Sequence, residues 1–283
     1  MSEPRPRSLP IRVAPLPGES LESWIDALAA RHHTSVGEVL EHFGFAARTQ
    51  GRGRDGERAP RRTIMLTGPE AEAITAATGV SCSAVKEMTL AHYDPQILLV
   101  NEESRSVSRR SIWGRSTGSR FCPSCLKEQK GRWQLEWRLG WASACVHHRR
   151  LLADRCPACS RVPRMLPTSG TAIPRPGLCG HPPPRSTGPF RRGCGFDLSE
   201  TDSVRLEPDS PVLRAQTRIM EIFESRERPL AFGAYRHNPQ PAPAVLLDIR
   251  ALGSRFLTDL PREELVARLP AGLADAYLSC DDR

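Results

Sequence analysis

Two Cys-x-x-Cys pairs and one Cys-x-x-His pair fall within residues 121–159, FCPSCLKEQKGRWQLEWRLGWASACVHHRRLLADRCPAC. Cys122-x2-Cys125 is followed, after 19 intervening residues, by Cys145-x2-His148. Cys156-x2-Cys159 is followed, again after 19 residues, by Cys179, and 14 more precede Cys194. A Cys-x-x-Cys turn aims two thiolates at one ion, and a second pair from a distant loop completes a tetrahedron. The spacing predicts two structural zinc sites. The first is Cys122, Cys125, Cys145 and His148, where the neighbouring His147 could exchange roles with His148. The second is Cys156, Cys159, Cys179 and Cys194, where His181 could replace Cys179. Four protein ligands leave no position for a catalytic water, so both ions would be architectural. Cys82 and Cys280 fall outside either set and read as ordinary small side chains.

Catalysis has little to build on. A zinc-ribbon nuclease of the HNH kind would use His147 or His148, with an Asn or His placed downstream. The only asparagines, Asn101 and Asn238, are not suitably near. No paired carboxylates stand out in the basic region for phosphoryl-transfer metal chemistry. Trp133, Trp137 and Trp141 recur at i, i+4 and i+8, which predicts one apolar stripe on a helix, packed against the zinc turns. Base stacking would require those rings to be exposed. Arg132 and Arg138 lie off that stripe, facing solvent in this reading.

Charge favours polyanionic partners. The 283-residue chain carries a formal +8. Residues 105–155 hold 12 Lys/Arg against three acids, whereas residues 201–283 hold 11 basic and 13 acidic groups. The cationic character sits on the cysteine module. Two filled thiolate-rich sites would lower the total to about +5. Candidate nucleic-acid or partner contacts are Arg120, Lys127, Lys130, Arg132, Arg138, Arg149 and Arg150, with Lys86. The start, MSEPRPRSLPIRV, has no signal-peptide pattern, and no apolar run approaches ~18 residues, so a cytoplasmic protein without a membrane span is expected. Nine cysteines in such a chain favour metal over disulfides.

The surrounding elements read as short helices. Residues 1–47 form an N-terminal helical segment. Ser20 caps a first helix with Trp24, Ile25, Leu28 and Ala29 on one face, and Thr34 or Ser35 caps a second that ends at Gly44. Residues 48–65 form a Gly/Arg-rich linker, a solvated loop or a phosphate-contacting arm. Residues 66–115 hold a helix-turn-helix-like region. There Pro69 begins one helix, Gly79 breaks it, and Ser81 caps another that offers Ser83, Lys86 and Glu87. Residues 116–200 are the tandem zinc module. Residues 201–283 are a helical tail, with helices near 211–225, 245–260 and 262–279 and Pro261 between the last two. The fold class is therefore mainly α with small zinc-ribbon- or treble-clef-like modules.

Two stretches, in this order, resemble the TniQ family of bacterial transposition proteins, which includes TnsD-like target selectors. One is LPIRVAPLPGESLESWIDALAARHHTSVGEVLEHFG, a Pro-rich lead into Glu-Ser-x-x-Ser-Trp and two short helices. The other is FCPSC…W…W…CVHHRRLLADRCPAC, and the likeness spans roughly residues 9–200. The resemblance implies a non-enzymatic adaptor. It would connect target DNA, or a DNA-bound targeting complex such as a CRISPR effector, to a TnsC/TniB-like AAA+ ATPase that recruits the transposase. By position, Cys122, Cys125, Cys145 and His148 match the first family zinc site, and Cys156 and Cys159 start the second. The spread of Cys179 and Cys194 departs from the tighter pairing of the family. A homodimer is a further candidate assembly. The competing reading is a stand-alone zinc-containing regulator that binds an operator through residues 66–93.

Overall fold

The computed structural model describes residues 8–45, 61–108, 118–165, 168, 170–181, 193–225, 228–269 and 274. Most of the Gly/Arg linker, the basic residues Arg109, Arg110 and Arg115, the Pro-rich insertion after His181, and Cys280 lie outside the described residues. The chain divides into two compact units. One comprises Met1–Asp94, Leu98–Ala142 and Leu152–Asp202; the other comprises Pro95–Ile97, Ser143–Leu151 and Ser203–Arg283. Helices dominate, and among the described residues the strands are two residues long. No helix there is long and apolar enough to cross a membrane.

In the first unit, helix α1 (Leu21–Arg31) begins where the Ser20 side chain accepts from the backbone N–H of Ser23. Its apolar face buries Leu21, Trp24, Leu28 and Ala29. Helix α2 (Val36–His42) starts with a reciprocal capping box. Ser35 accepts from the Glu38 N–H, and Glu38 accepts from the Ser35 N–H at 2.8 Å. Hydrogen bonds from Thr34 and Ser35 hold the Glu38 carboxyl far below its usual range, near about 2. Ser35, rather than Thr34, is thus the cap. After α3 (Arg61–Ile64), helix α4 (Gly68–Thr78) carries a second capping box, Thr67 with Glu70. It ends at Gly79, whose φ of 75° suits a residue without a Cβ. Ser81 caps α5 (Cys82–Glu87), which is only six residues long. These helices share one core that includes Trp24, Phe43, Ile74, Val85 and Met88, with Cys82 packed at its margin as a small apolar side chain. A short hairpin, β1 (Val100–Asn101) with β2 (Ser106–Val107), follows. Helix α6 is Pro123–Glu128.

The tryptophan segment does not form the helix that its spacing predicts. Only Leu135–Arg138 makes a short 3-10 turn. The backbone N–H groups that a helix would use internally go elsewhere. That of Trp133 donates to Ser23 Oγ at 2.8 Å, and that of Leu135 donates to the Gly18 carbonyl at 2.8 Å. Pairing with the N-terminal segment, through a Glu19–Gln134 bridge, overrides the local periodicity. The rings are nevertheless buried, as packing required. Trp133 lies 5.6 Å from Phe121 and 5.9 Å from Trp137, and Trp141 is 8% exposed.

Ion pairs bind the same surfaces together. Arg132 forks onto Glu19, a carboxylate whose side chain is 0% exposed. Arg164 pairs with Asp26 at 3.0 Å and Glu22 at 3.5 Å, and its guanidinium lies 4.7 Å over the Trp133 ring. Burial raises the Asp26 carboxyl to about 6, against the lowering effect of Arg164.

The second unit contains hairpin β3 (Ala144–Cys145) and β4 (Arg150–Leu151), helix α7 (Pro211–Glu224), α8 (Ala242–Asp259) and α9 (Arg262–Arg268). Gln216 of α7 receives the N–H of Ser143 and of Ala144, which fixes the hairpin on the helix. Leu206, Leu213 and Ala144 form its small core. Pro261 separates α8 from α9 as the sequence suggested.

Removing one partner of a buried ion pair strands the other charge, which costs about 3–5 kcal/mol. Arg132→Met should therefore lower unfolding stability by that order in urea titration, whereas Glu19→Leu combined with Arg132→Met should recover most of it. A double variant as unstable as the single one would show that the charge is not the issue.

Candidate metal centres

Three of the four cysteine or cysteine–histidine pairs are presented by a local turn. Cys122 caps α6, its sulfur facing the Cys125 N–H at 3.5 Å, with Pro123 at the helix start, where a missing N–H costs nothing. Cys145 ends β3 and accepts from the His148 N–H at 3.4 Å. The chain then turns at Arg149, with φ of 48°. Cys156 and Cys159 form a second turn, closed by Ser160 N–H to the Cys156 carbonyl at 2.8 Å, with φ of 58° at Ser160.

Cys179 and Cys194 are joined by backbone pairing that the sequence does not reveal. The N–H of Cys179 donates to Phe196, that of Gly195 to Cys179, and that of Cys194 to His181. Residues flanking the insertion thus run antiparallel and set both sulfurs on one side. The Gly-Cys-Gly turn is required here. A Cβ on Gly193 would lie 2.9 Å from the Cys179 carbonyl oxygen, and Gly195 has φ of 75°.

Two four-residue groups result. In each, the ligand atoms lie within 4.8 Å of one another: Cys122, Cys125, Cys145 and His148 in one, and Cys156, Cys159, Cys179 and Cys194 in the other. In the second, Cys156 and Cys194 sulfurs are 3.9 Å apart, and those of Cys159 and Cys179 are 3.7 Å apart. A tetrahedron with metal–sulfur distances of ~2.3 Å has edges of about 3.8 Å. In the first, Cys145 Sγ lies 3.6 Å from His148 Nδ1, close to the edge of about 3.6 Å that a Zn–S and a Zn–N bond would span. These separations are nearly twice a disulfide bond of ~2.0 Å. Burial pushes the Cys179 thiol up, with Cys159 and Cys156 adding to the rise. Thiols packed this closely cannot ionise together unless a cation shares the space. Both groups could hold a metal ion.

His181 is not in the second group. It is buried, and its Nε2 lies 2.8 Å from the Val162 carbonyl oxygen, bracing the loop behind the cysteines. His148, not His147, joins the first group of cysteines; the His147 ring stacks edge-on against it at 4.5 Å.

The basic residues divide. Arg138 does not face solvent. It is 6% exposed, burial lowers its guanidinium to about 10, and it donates to the Thr63 carbonyl. Arg132 is likewise turned inward onto Glu19. Arg120 donates to the carbonyls of Gly140 and Ala142 and sits 3.8 Å from Asp154. Lys86, Lys127, Lys130 and Arg149 are exposed and Arg150 is half-buried; Lys127 lies 3.4 Å from Glu200. The buried carboxylates Glu19 and Asp26, with the half-buried Glu22, are not legible in the sequence, because nothing local to them signals partners more than a hundred residues away.

Short helices on a buried ion-paired core, with two Cys/His groups that could each hold a metal ion, define a mainly helical protein with metal-competent clusters. A family model matches residues 10–152, just over half of the chain, and its description is TniQ. The chain belongs to the TniQ family and is transposition-associated; the TniQ domain is a non-catalytic accessory of that process. The match includes the first metal-competent group and ends before Cys156, so the second group lies beyond it. No curated protein matches the chain.

Elemental analysis of purified protein should find close to two metal ions per chain. Cys156→Ser should lower that to about one and cut the melting temperature. Metal content that does not change in this variant would remove Cys156 from the ligands.

Proposed function

We propose that the chain is a non-enzymatic adaptor in DNA transposition. It couples target-site recognition, on DNA itself or on a DNA-bound targeting complex such as a CRISPR effector, to the AAA+ ATPase that regulates the transposase. The observation that carries the reading is the pairing of TniQ membership with two four-ligand groups that leave a bound ion no open position. In this reading both ions are zinc, held by Cys122, Cys125, Cys145 and His148, and by Cys156, Cys159, Cys179 and Cys194. Zinc would supply folding energy to Pro/Gly-rich segments and hold turns in place, with no reaction routed through it. The protein would act in the cytoplasm, associating with the nucleoid when engaged.

Outward-facing cations are the better-supported contact residues in this reading. Lys86, Lys127, Lys130, Arg149 and Arg150 remain candidates for DNA or partner contact, whereas Arg120, Arg132 and Arg138 support the interior. The helix-turn-helix-like pair α4–α5 gives weak support to operator reading. Its second helix spans two turns at most and offers Lys86 as its one basic side chain. DNA contact through scattered surface lysines and arginines would be electrostatic.

The test is capture of the neighbouring transposon ATPase by full-length protein, alongside DNA binding measured across a salt series. Co-purification of the ATPase, with DNA affinity that falls steeply with salt and varies little with sequence, is the expected result. Salt-tolerant binding to one operator without ATPase capture would instead establish the regulator.

A further inference from the structure

The second unit holds a groove that neither the metal groups nor the family match explains. It has a volume of about 450 Å³ and lies against α7 and the turn between β3 and β4. Its lining includes the apolar Val146, Pro208 and Leu213 and the cationic Arg149, Arg214 and Arg218. Among its lining residues the one acid is Glu221, which pairs with Arg218 at 2.5 Å.

Three features indicate that these arginines are set for a ligand. Arg214 and Arg218 stand four residues apart on α7, so they share a helix face about 6 Å apart along the axis. Arg218 is fixed by Glu221 and by stacking 4.0 Å over the Phe232 ring, and Arg214 donates to the Asp209 carbonyl. Both are thus pre-positioned while exposed to solvent. Arg149 occupies a left-handed backbone position, φ 48°, where glycine would sit without strain. Its backbone carbonyl accepts from the Leu206 N–H, so the turn is anchored while the side chain stays exposed.

We infer that this groove docks an acidic, partly apolar peptide segment of a protein partner. Guanidinium forks match carboxylates in bidentate geometry, and Val146, Pro208 and Leu213 offer contact to the apolar side chains between them. A phosphodiester backbone would engage the arginines but leave Val146, Pro208 and Leu213 without apolar contact, which is why a peptide fits better. The inference rests on the chain being a connector between proteins.

The test is fluorescence anisotropy on the full chain with three labelled probes. They are a peptide of Glu, Asp, Leu and Phe, the same peptide with Lys for its acids, and a duplex DNA. Saturable binding of the acidic peptide and not of the basic one is expected, and any binding of duplex DNA should not respond to substitutions in the groove. It should weaken roughly tenfold or more in Arg214→Glu/Arg218→Glu. Arg149→Gly should weaken it similarly without lowering the melting temperature, which keeps the test usable if the double variant does not fold. Equal binding of acidic and basic peptides, unchanged affinity in a folded variant, or loss confined to duplex DNA would overturn the proposal. Failure of the wild-type chain to capture the ATPase would sink the adaptor reading while leaving the peptide titration to judge the groove.

Discussion

The first unit depends on carboxylates that cannot stand alone. Glu19 is wholly buried, accepts from the Ser23 hydroxyl at 2.7 Å and from the Leu16 N–H at 3.0 Å, and is neutralised by Arg132. An unpaired carboxylate in that position would be expelled or protonated. The chain leading into α1 therefore holds its shape only when the segment around Arg132 is present. Arg164 does the same for Glu22 and Asp26 from a second direction, and it lies over Trp133, which is itself packed on Phe121. Asp26, pushed up to about 6, shows how strongly burial opposes its charge even beside a guanidinium. Buried ion pairs of this kind add little net stability over apolar packing, but they reject other arrangements of the same helices. Within the first unit, the N-terminal helices are thus tied to the segments that carry Arg132 and Arg164.

The metal-competent turns solve a different problem. Segments rich in Pro and Gly bury too little apolar surface to offset the entropy of ordering them. Each turn economises on backbone freedom instead. The residue that follows the second ligand is left-handed in three of them: Arg149 after His148, Ser160 after Cys159, and Gly195 after Cys194. Left-handed geometry turns the chain sharply away after the second ligand, and within the Cys145 turn the His148 N–H faces the Cys145 sulfur. At Gly195 glycine meets the requirement at no steric cost, whereas Arg149 and Ser160 accept some strain. Thiols brought this close without a cation repel ionisation, as Cys179 shows, so the geometry makes chemical sense with an ion in place.

Legibility in the sequence followed locality. Helix caps were readable because a cap is a contact between residues three apart: Ser20, Ser81 and Gly79 all act where their types predicted. Ligand pairs were readable for the same reason, and the repeated 19-residue spacing pointed to which pairs belong together. For the second group the four cysteines were readable from the sequence, but the cross-strand hydrogen bonds that bring Cys179 and Cys194 together around a long insertion were not. The tryptophan spacing misled outright. A period of four was correctly read as burial but wrongly as helix, since the N–H groups of Trp133 and Leu135 had partners near Gly18 that no window of local sequence contains. Charge misled in the same way. Arg132 and Arg138 looked solvent-facing on an imagined helix, yet both are turned inward in the actual loop.

That last point changes what the basic character of the cysteine region means. Its surplus of arginine and lysine invites reading the whole segment as an electrostatic surface. Some of those charges are instead held within the first unit: Glu19 neutralises Arg132, and Arg120 donates to the carbonyl oxygens of Gly140 and Ala142 beside Asp154. Arg138 donates to Thr63 from a site that pulls its own guanidinium down to about 10. The field available to a partner is weaker and more localised than composition suggests. On the proposed reading, places where a few fixed cations meet apolar surface would add to the scattered exposed lysines and arginines as points of recognition. Guanidiniums held by a neighbouring acid, carbonyl or ring lose less conformational freedom on binding than free ones, so a small number of them suffices. Arg214 and Arg218 on α7 meet that condition, and Arg149 adds a third cation from an anchored turn.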